Sequence, residues 1–113
     1  MKNRKSHTLT YKKKLDKCIE VFRAHNELQL RYGEQLDEDD EVVEINANVE
    51  LKGFELGDYT TDFLCRKSNG QLMVRECVYK KNLLKPSVIK LLDASRNYWM
   101  GSGVNDWGIV LDE

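Results

Sequence analysis

The sequence predicts a single α/β domain with the element order helix, three strands, helix, strand, in which a small mixed sheet is flanked by helices. Three patterns support this fold class. Apolar residues recur at helical spacing near the N-terminus, apolar and polar residues alternate through the middle of the chain, and a second helical segment precedes the last strand. The chain has 113 residues, of which 41% are hydrophobic and 33% charged, so it is long enough for one hydrophobic core.

The N-terminal part of the chain predicts an amphipathic helix. From Leu9 to about Phe22, apolar side chains recur at steps of three and four residues. The helix continues, or restarts after Asn26 as its N-cap, and Gly33 is expected to end or interrupt it. The acidic residues that follow predict a solvated loop or a ragged helical turn. They are Glu34, Asp37, Glu38, Asp39, Asp40, Glu41 and Glu44.

The remaining elements follow from alternation and from turn residues. Val42 to Leu51 alternates apolar with polar residues and predicts a strand, and Gly53 and Gly57 mark the turn after it. Pro86 suits the first turn of a second helix. Asp106 to Asp112 predicts a last, short strand. The expected buried face of the second helix consists of Val88, Leu91, Leu92, Ser95, Tyr98 and Trp99, while Gly101 and Gly103 are its stop signals and Trp99 and Trp107 are core aromatics.

The segment between Tyr59 and Val78 predicts a β-hairpin with one carboxylate in each strand. If Lys67 pairs with Gln71 across a Ser-Asn-Gly loop, Gly70 takes the left-handed position that closes such loops. In that register Asp62 lies opposite Glu76, with Cβ atoms about 5 Å apart, so the two carboxylates repel each other. A divalent cation would neutralise them. Two solvent-exposed edge carboxylates, or a different register, are the alternatives.

Charge is unevenly distributed, although the net charge is only −1. A basic N-terminal arm could follow nucleic-acid phosphates, and residues 1–8 are equally well interpreted as a flexible basic tail. A second basic group follows the hairpin. The first group contains Lys2, Arg4, Lys5, Lys12, Lys13 and Lys14, and the second contains Lys80, Lys81, Lys85 and Lys90.

Cysteine usage and hydropathy indicate the compartment. Cys18, Cys65 and Cys77 are odd in number and lack Cys-x-x-Cys spacing, so we expect reduced residues and neither a disulfide framework nor a zinc site. No apolar run is long enough to span a membrane, and no apolar segment of a secretory signal follows the charged N-terminus. The sequence therefore predicts a cytoplasmic protein without membrane contact.

The element order, with an acid in the second strand and Glu-x-x in the third, resembles the restriction-endonuclease-like αβββαβ core of PD-(D/E)xK nucleases. More narrowly, roughly Val21 to Glu113 is similar to the catalytic N-terminal domain of TnsA-like transposon endonucleases. The resemblance is carried by Glu27 on the first helix, Tyr59-Thr-Thr-Asp62-Phe-Leu, Arg75-Glu76-Cys-Val78, Leu91-Leu-Asp-Ala-Ser-Arg-Asn-Tyr-Trp99, and Gly103-Val-Asn-Asp-Trp-Gly-Ile-Val110.

The resemblance implies a metal-dependent DNA endonuclease of a mobile element or phage, which hydrolyses phosphodiester bonds. Mg²⁺ or Mn²⁺ would be held by Asp62 and Glu76, with Glu27 reaching it directly or through water. The implied partners are DNA and a transposase or recombinase subunit. A homodimer would suit a double-strand cut, whereas a monomer would suit nicking.

The chain departs from the family pattern at the lysine that follows the third-strand acid, where it has Val78. Lys80 is the nearest replacement if the strand continues, and Lys85 or Lys90 could supply the base from the following helix. Two further functions stay open: a catalytically inactive nuclease-fold protein that binds DNA or a recombination or defence protein, and a structural interaction module. The candidate DNA-binding residues are Lys12, Lys13, Lys14, Lys81, Lys85 and Lys90.

Overall fold

The computed structural model describes residues 10–113, so the predicted basic tail of residues 1–8 lies outside the described residues. In chain order the elements are β1 (Tyr11–Lys13), β2 (Phe22–Ala24), α1 (Glu27–Glu38), β3 (Val42–Glu50), β4 (Thr60–Lys67), β5 (Leu72–Val78), α2 (Lys80–Leu83), α3 (Pro86–Gly101) and β6 (Asp106–Leu111).

The four strands from β3 to β6 form one mixed sheet in sequential order. β3, β4 and β5 pair antiparallel, and β6 pairs parallel to β5 after the α3 crossover. β1 and β2 form a separate two-stranded antiparallel sheet. This arrangement confirms the predicted α/β class with a small mixed sheet.

The predicted helix from Leu9 to Phe22 is wrong. Tyr11 pairs with Ala24 and Lys13 with Phe22, so the described part of this segment is a short hairpin. Contacts distant in sequence hold its loop, because the Asp37 carboxylate accepts hydrogen bonds from the amides of Asp16 and Lys17 at 3.2 and 3.0 Å. Packing against α1 and β3 has therefore overridden the helical spacing.

α1 begins where the sequence predicted a cap and extends further than expected. The Asn26 side chain accepts a hydrogen bond from the Gln29 amide at 2.9 Å, which satisfies one free N–H of the first turn. Gly33 neither ends nor interrupts the helix but lies buried within it. The expected loop is therefore shorter than the acidic run: Glu34 to Glu38 belong to α1, Asp39 to Glu41 form the turn after it, and Glu44 belongs to β3.

The hairpin of β4 and β5 has the predicted register. The pairs run from Phe63 with Arg75 to Arg66 with Leu72. The Lys67 amide donates to the Gln71 carbonyl at 2.8 Å, and Gly70 has φ = 87°, in the left-handed region that closes the loop. By continuation of this register, Asp62 lies opposite Glu76.

Helices cover both faces of the mixed sheet. On one face, α1 and the β1–β2 hairpin pack over the sheet, and this cluster includes Phe22, Leu28, Phe63, Cys65 and Cys77. On the other face α3 packs over the sheet, and that cluster includes Leu51, Phe54, Val74, Ala94 and Trp99. No helix within residues 10–113 is long and apolar enough to cross a bilayer.

Candidate functional site

Asp62 and Glu76 lie immediately beyond the last paired residues of β4 and β5, which are Phe63 and Arg75. There the carboxylates accept hydrogen bonds from the strands themselves. The Asp62 amide donates to Glu76 Oε1 at 3.0 Å, and the Cys77 amide donates to Asp62 Oδ2 at 2.7 Å. Both acids are 0% exposed. The backbone of each strand therefore fixes the position of the carboxylate on the other.

Two hydroxyl groups complete the surroundings of Glu76. Its Oε2 accepts hydrogen bonds from Thr61 Oγ1 and from Ser95 Oγ, both at 2.7 Å. Each hydroxyl in turn accepts an indole N–H, Thr61 from Trp99 Nε1 at 2.8 Å and Ser95 from Trp107 Nε1 at 3.1 Å. An indole N–H can only donate, so each hydroxyl is directed to give its own proton to Glu76. The network thus ties α3 and β6 to the carboxylate.

Burial and a like charge change the acidity of Glu76. Loss of hydration is the larger cause and the charge of Asp62 the second, and together they raise the pKa of Glu76 to about 7. The hydrogen bonds from Ser95, Thr61 and the Asp62 amide oppose this change. Near neutral pH the Glu76 carboxyl is therefore shared between its protonated and ionised forms, and a nearby cation would favour the ionised form.

A second set of polar side chains, which sequence reasoning missed, supports the backbone at Asp62. Gln29 is 1% exposed, and its Nε2 donates to Asn48 Oδ1 at 2.9 Å and to the Asp62 carbonyl at 3.4 Å. Gln29 Oε1 accepts from the His25 amide at 2.8 Å. Asn48 has φ = 55°, a left-handed conformation that Asn tolerates better than most residues. The start of α1 and an irregular point of β3 are thereby tied to β4.

Glu27, the third proposed metal ligand, is placed differently from the two strand acids. It lies in the first turn of α1 with a side chain that is 62% exposed, and it forms an ion pair with Arg31 at 3.3 Å. Across residues 10–113, no three His, Cys, Asp or Glu residues are grouped so that they could hold a metal ion. Glu27 therefore does not join Asp62 and Glu76 in a three-carboxylate site.

The strand does not extend to Lys80, so the condition under which Lys80 would replace the missing lysine is not met. Val78 is the last residue of β5 and is 4% exposed. Lys80 begins α2, where its amide donates to Asp112 Oδ1 at 2.6 Å, and the residue is exposed. The turn into α2 removes Lys80 from the alternating strand positions that include Glu76 and Val78.

An open cleft of about 530 Å³ lies at this end of β5 and carries positive charge. Two of the candidate DNA-binding residues, Lys81 and Lys85, line it together with His25. On β5 the lining includes Cys77, which packs on the α1 side of the sheet, whereas neither Asp62 nor Glu76 lines the cleft. The cleft also borders the N-terminal ends of α1 and α3, where the helix dipole favours anions. Its other lining residues are Asn26, Val78, Tyr79, Asn82, Ser87 and Val88.

The other candidate DNA-binding lysines lie elsewhere. Lys12 and Lys13 belong to β1 and Lys14 follows it. Lys13 forms an ion pair with Glu34 of α1, and the hydrogen bond and charge of that glutamate raise the pKa of Lys13. Lys90 is exposed on α3 and does not line the cleft. Of the candidate DNA-binding lysines, the structure therefore brings only Lys81 and Lys85 to the cleft at the C-terminal end of β5.

No protein-family profile matches the chain, and a search of curated proteins returns no significant match.

Proposed function

We propose that this chain is a metal-dependent DNA endonuclease of the TnsA-like, PD-(D/E)xK type, in which Asp62 and Glu76 hold the cation. One observation carries the proposal: two fully buried carboxylates lie opposite each other in the hairpin register, each fixed by an amide of the other strand. A basic cleft lies at the same end of β5. The order helix, three strands, helix, strand over one mixed sheet agrees with the αβββαβ core of those nucleases.

The two carboxylates fit a small, hard cation. Mg²⁺ is commonly bound through one or two carboxylates, with water and substrate phosphate oxygens completing its octahedral shell, so a third protein ligand is not required. Oxygen ligands without thiolate or imidazole favour Mg²⁺ or Mn²⁺ over zinc. Burial and, second, the charge of Asp62 raise the pKa of Glu76, and a bound cation would offset both effects. When bound, the ion would offset charge on the phosphate and acidify an attacking water.

The chain's own residues would position the acids and the substrate. Thr61 and Ser95 orient the Glu76 carboxylate, and Gln29 holds the Asp62 carbonyl. Lys81 and Lys85 would bind the phosphodiester backbone, in the cleft that they line. Val78 contributes no charge, so stabilisation of the additional negative charge on the phosphate would fall to the cation and these two lysines.

The test is cleavage of supercoiled plasmid by the full chain in Mg²⁺ or Mn²⁺. We expect nicked or linear product from the wild type and none from Asp62→Ala. Asp58→Ala is the matched control, because Asp58 is an exposed acid just before β4, and it should retain activity. Plasmid left intact by the wild type in both metals, together with no heat of Mn²⁺ binding in calorimetry, would contradict the proposal.

A second function is favoured by two specific observations, the buried Val78 and the three protein donors to Glu76. In this alternative the acids stabilise the hairpin, and the chain binds DNA or a recombination or defence protein without cutting it. It predicts that Asp62→Asn leaves DNA affinity unchanged and that neither metal yields product. Metal-dependent product formation that is lost in Asp62→Asn would exclude this alternative.

A further inference from the structure

Apolar side chains are exposed together where α2, α3 and β6 meet. Leu84 is 82% exposed, Ile89 is 49% exposed and Ile109 is 40% exposed. All three border a groove of about 310 Å³ that also contains Leu92 and Trp107. Grouped apolar exposure of this kind marks an interaction site more often than scattered exposure does.

The groove runs beside an edge of the sheet that pairs with no further strand of residues 10–113. β6 is the last strand in the sheet order, and within residues 10–113 its only strand neighbour is β5. Trp107 and Ile109 alternate along β6 and both line the groove, so they share the face of the sheet that α3 covers. A six-residue edge strand with apolar side chains next to it is suited to pairing with another strand.

The charges at the groove indicate which partner it fits. Asp93 and Arg96 are exposed on α3, both line the groove, and neither forms an ion pair with another residue between positions 10 and 113. One acid and one base cancel, so the groove selects neither a polyanion nor a strongly basic partner. A second copy, however, presents the same two charges in reversed order, and each charge then meets its opposite.

We propose that this face binds the same face of a second copy of the chain, with the two β6 strands antiparallel and the two α3 helices side by side. A two-fold axis perpendicular to the sheet reverses the strand direction and keeps both helices on one face. If this axis lies beside α3, level with the midpoint between Asp93 and Arg96, the two helices run antiparallel. Asp93 then faces the partner subunit's Arg96, and Arg96 faces the partner's Asp93. The sheet then continues through both chains. This pairing does not depend on metal, DNA or catalysis.

The test is sedimentation velocity of the full chain over a range of concentrations, with charge reversals on α3. The wild type should form dimers. Asp93→Arg and Arg96→Asp should each raise the dimer dissociation constant by more than about tenfold, because each places like charges together across the axis. The double variant Asp93→Arg/Arg96→Asp should restore dimers, since it exchanges the two charges in both copies.

Two further variants separate the interface from folding. Ile109→Glu should abolish dimers, whereas Ile19→Glu should not, because Ile19 is 92% exposed in the β1–β2 loop. Circular dichroism and thermal melting of each variant identify those that fail to fold. A wild-type chain that is monomeric at every concentration would overturn the proposal. So would a folded double variant that dimerises no better than either single reversal.

Discussion

At the scale of single residues, Glu76 is both a hydrogen-bond acceptor at the centre of the fold and a proposed metal ligand. One carboxylate accepts hydrogen bonds from β4, from the side chain of Thr61 and from Ser95 on α3, so the sheet and the helix meet at a titratable group. Natural proteins seldom bury an acid completely unless its hydrogen bonds or its chemistry require it. The same donors that fix the carboxylate lower its pKa, against the effects of burial and Asp62 that raise it.

The stability of the protein should depend on pH through Glu76. Its pKa of about 7 lies above its ordinary value of 4.5, so the folded state binds more protons than the unfolded state between those values. Stability contributed by the protonated acid is complete below about pH 4.5 and is lost as pH rises through 7. Each pKa unit corresponds to about 1.4 kcal/mol, so the loss amounts to a few kcal/mol.

Denaturant unfolding between pH 5 and pH 8 checks this expectation with Glu76→Gln. The variant should lack the downward slope that the wild type shows over this range. The slope is the informative quantity, since a Gln amide cannot accept all three hydrogen bonds and lowers absolute stability at every pH. Glu55→Gln, at an exposed position, is the control and should keep the wild-type slope. Parallel curves for the wild type and Glu76→Gln would show that Glu76 is ionised throughout.

At the scale of elements, the β4–β5 hairpin was predictable because its information is local. Gly70 and the loop length specify the turn, and the turn specifies which residues face each other. The opposition of Asp62 and Glu76 follows from that register. The hydroxyls and indoles around Glu76 could not be predicted from sequence, because they depend on how α3 lies across the sheet. The only signal was Ser95 on an otherwise apolar helix face.

The N-terminal segment shows the opposite case. Leu15 and Phe22 are buried at 2% and 1% exposure, whereas Ile19 between them is 92% exposed. The spacing of the three residues matched a helix, but only the side chains of Leu15 and Phe22 enter the core. The β1–β2 loop is also held from outside, since the Lys17 carbonyl accepts from the Ile45 amide at 2.9 Å. The spacing of apolar residues along a segment cannot predict its structure when its hydrogen-bond partners are distant in sequence, as Ile45 is from Lys17.

Close packing between β2 and α1 predicts an effect of substitution at Gly33. A Cβ atom at this position would lie 2.5 Å from Cε2 of Phe22, whose ring is fully enclosed in the core. In an open helix, Gly→Ala gains up to about 1 kcal/mol. Here overpacking should reverse the sign, and we expect Gly33→Ala to lower the free energy of unfolding by about 1–3 kcal/mol.

Gly101→Ala in α3 is the matched control, since within residues 10–113 the Cβ that it would add meets nothing within 4 Å beyond its chain neighbours and its own helical backbone. Urea unfolding of both variants should show destabilisation for Gly33→Ala and little change or a small gain for Gly101→Ala. A Gly33→Ala protein as stable as the wild type would mean that Phe22 can move away from the helix at little cost.

At the scale of the whole molecule, the net charge of −1 conceals a separation of charge. Among the acids of the second half of α1 and the turn after it, Glu34 forms an ion pair with Lys13. Lys17 lies next to the turn, where its Nζ donates to the backbone carbonyl of Asp39 at 2.6 Å. Lys81 and Lys85 make no ion pair with another residue in the described part of the chain, and they line the cleft at the C-terminal end of β5. Positive charge that is not neutralised within the molecule is available for phosphates.

This distribution predicts where DNA affinity is reduced on charge reversal, whether or not the chain cuts DNA. Lys81→Glu and Lys85→Glu should each weaken binding to duplex DNA and reduce the slope of log K against log salt, by about one for each phosphate that the variant no longer binds. Fluorescence anisotropy in EDTA, between about 50 and 200 mM salt, measures both quantities. Lys90→Glu is the control, because it makes the same change in net charge on α3 outside the cleft. If all three variants reduced DNA affinity equally, DNA binding would depend on net charge alone. If Lys81→Glu and Lys85→Glu left the salt slope unchanged, the DNA would bind away from this end of β5.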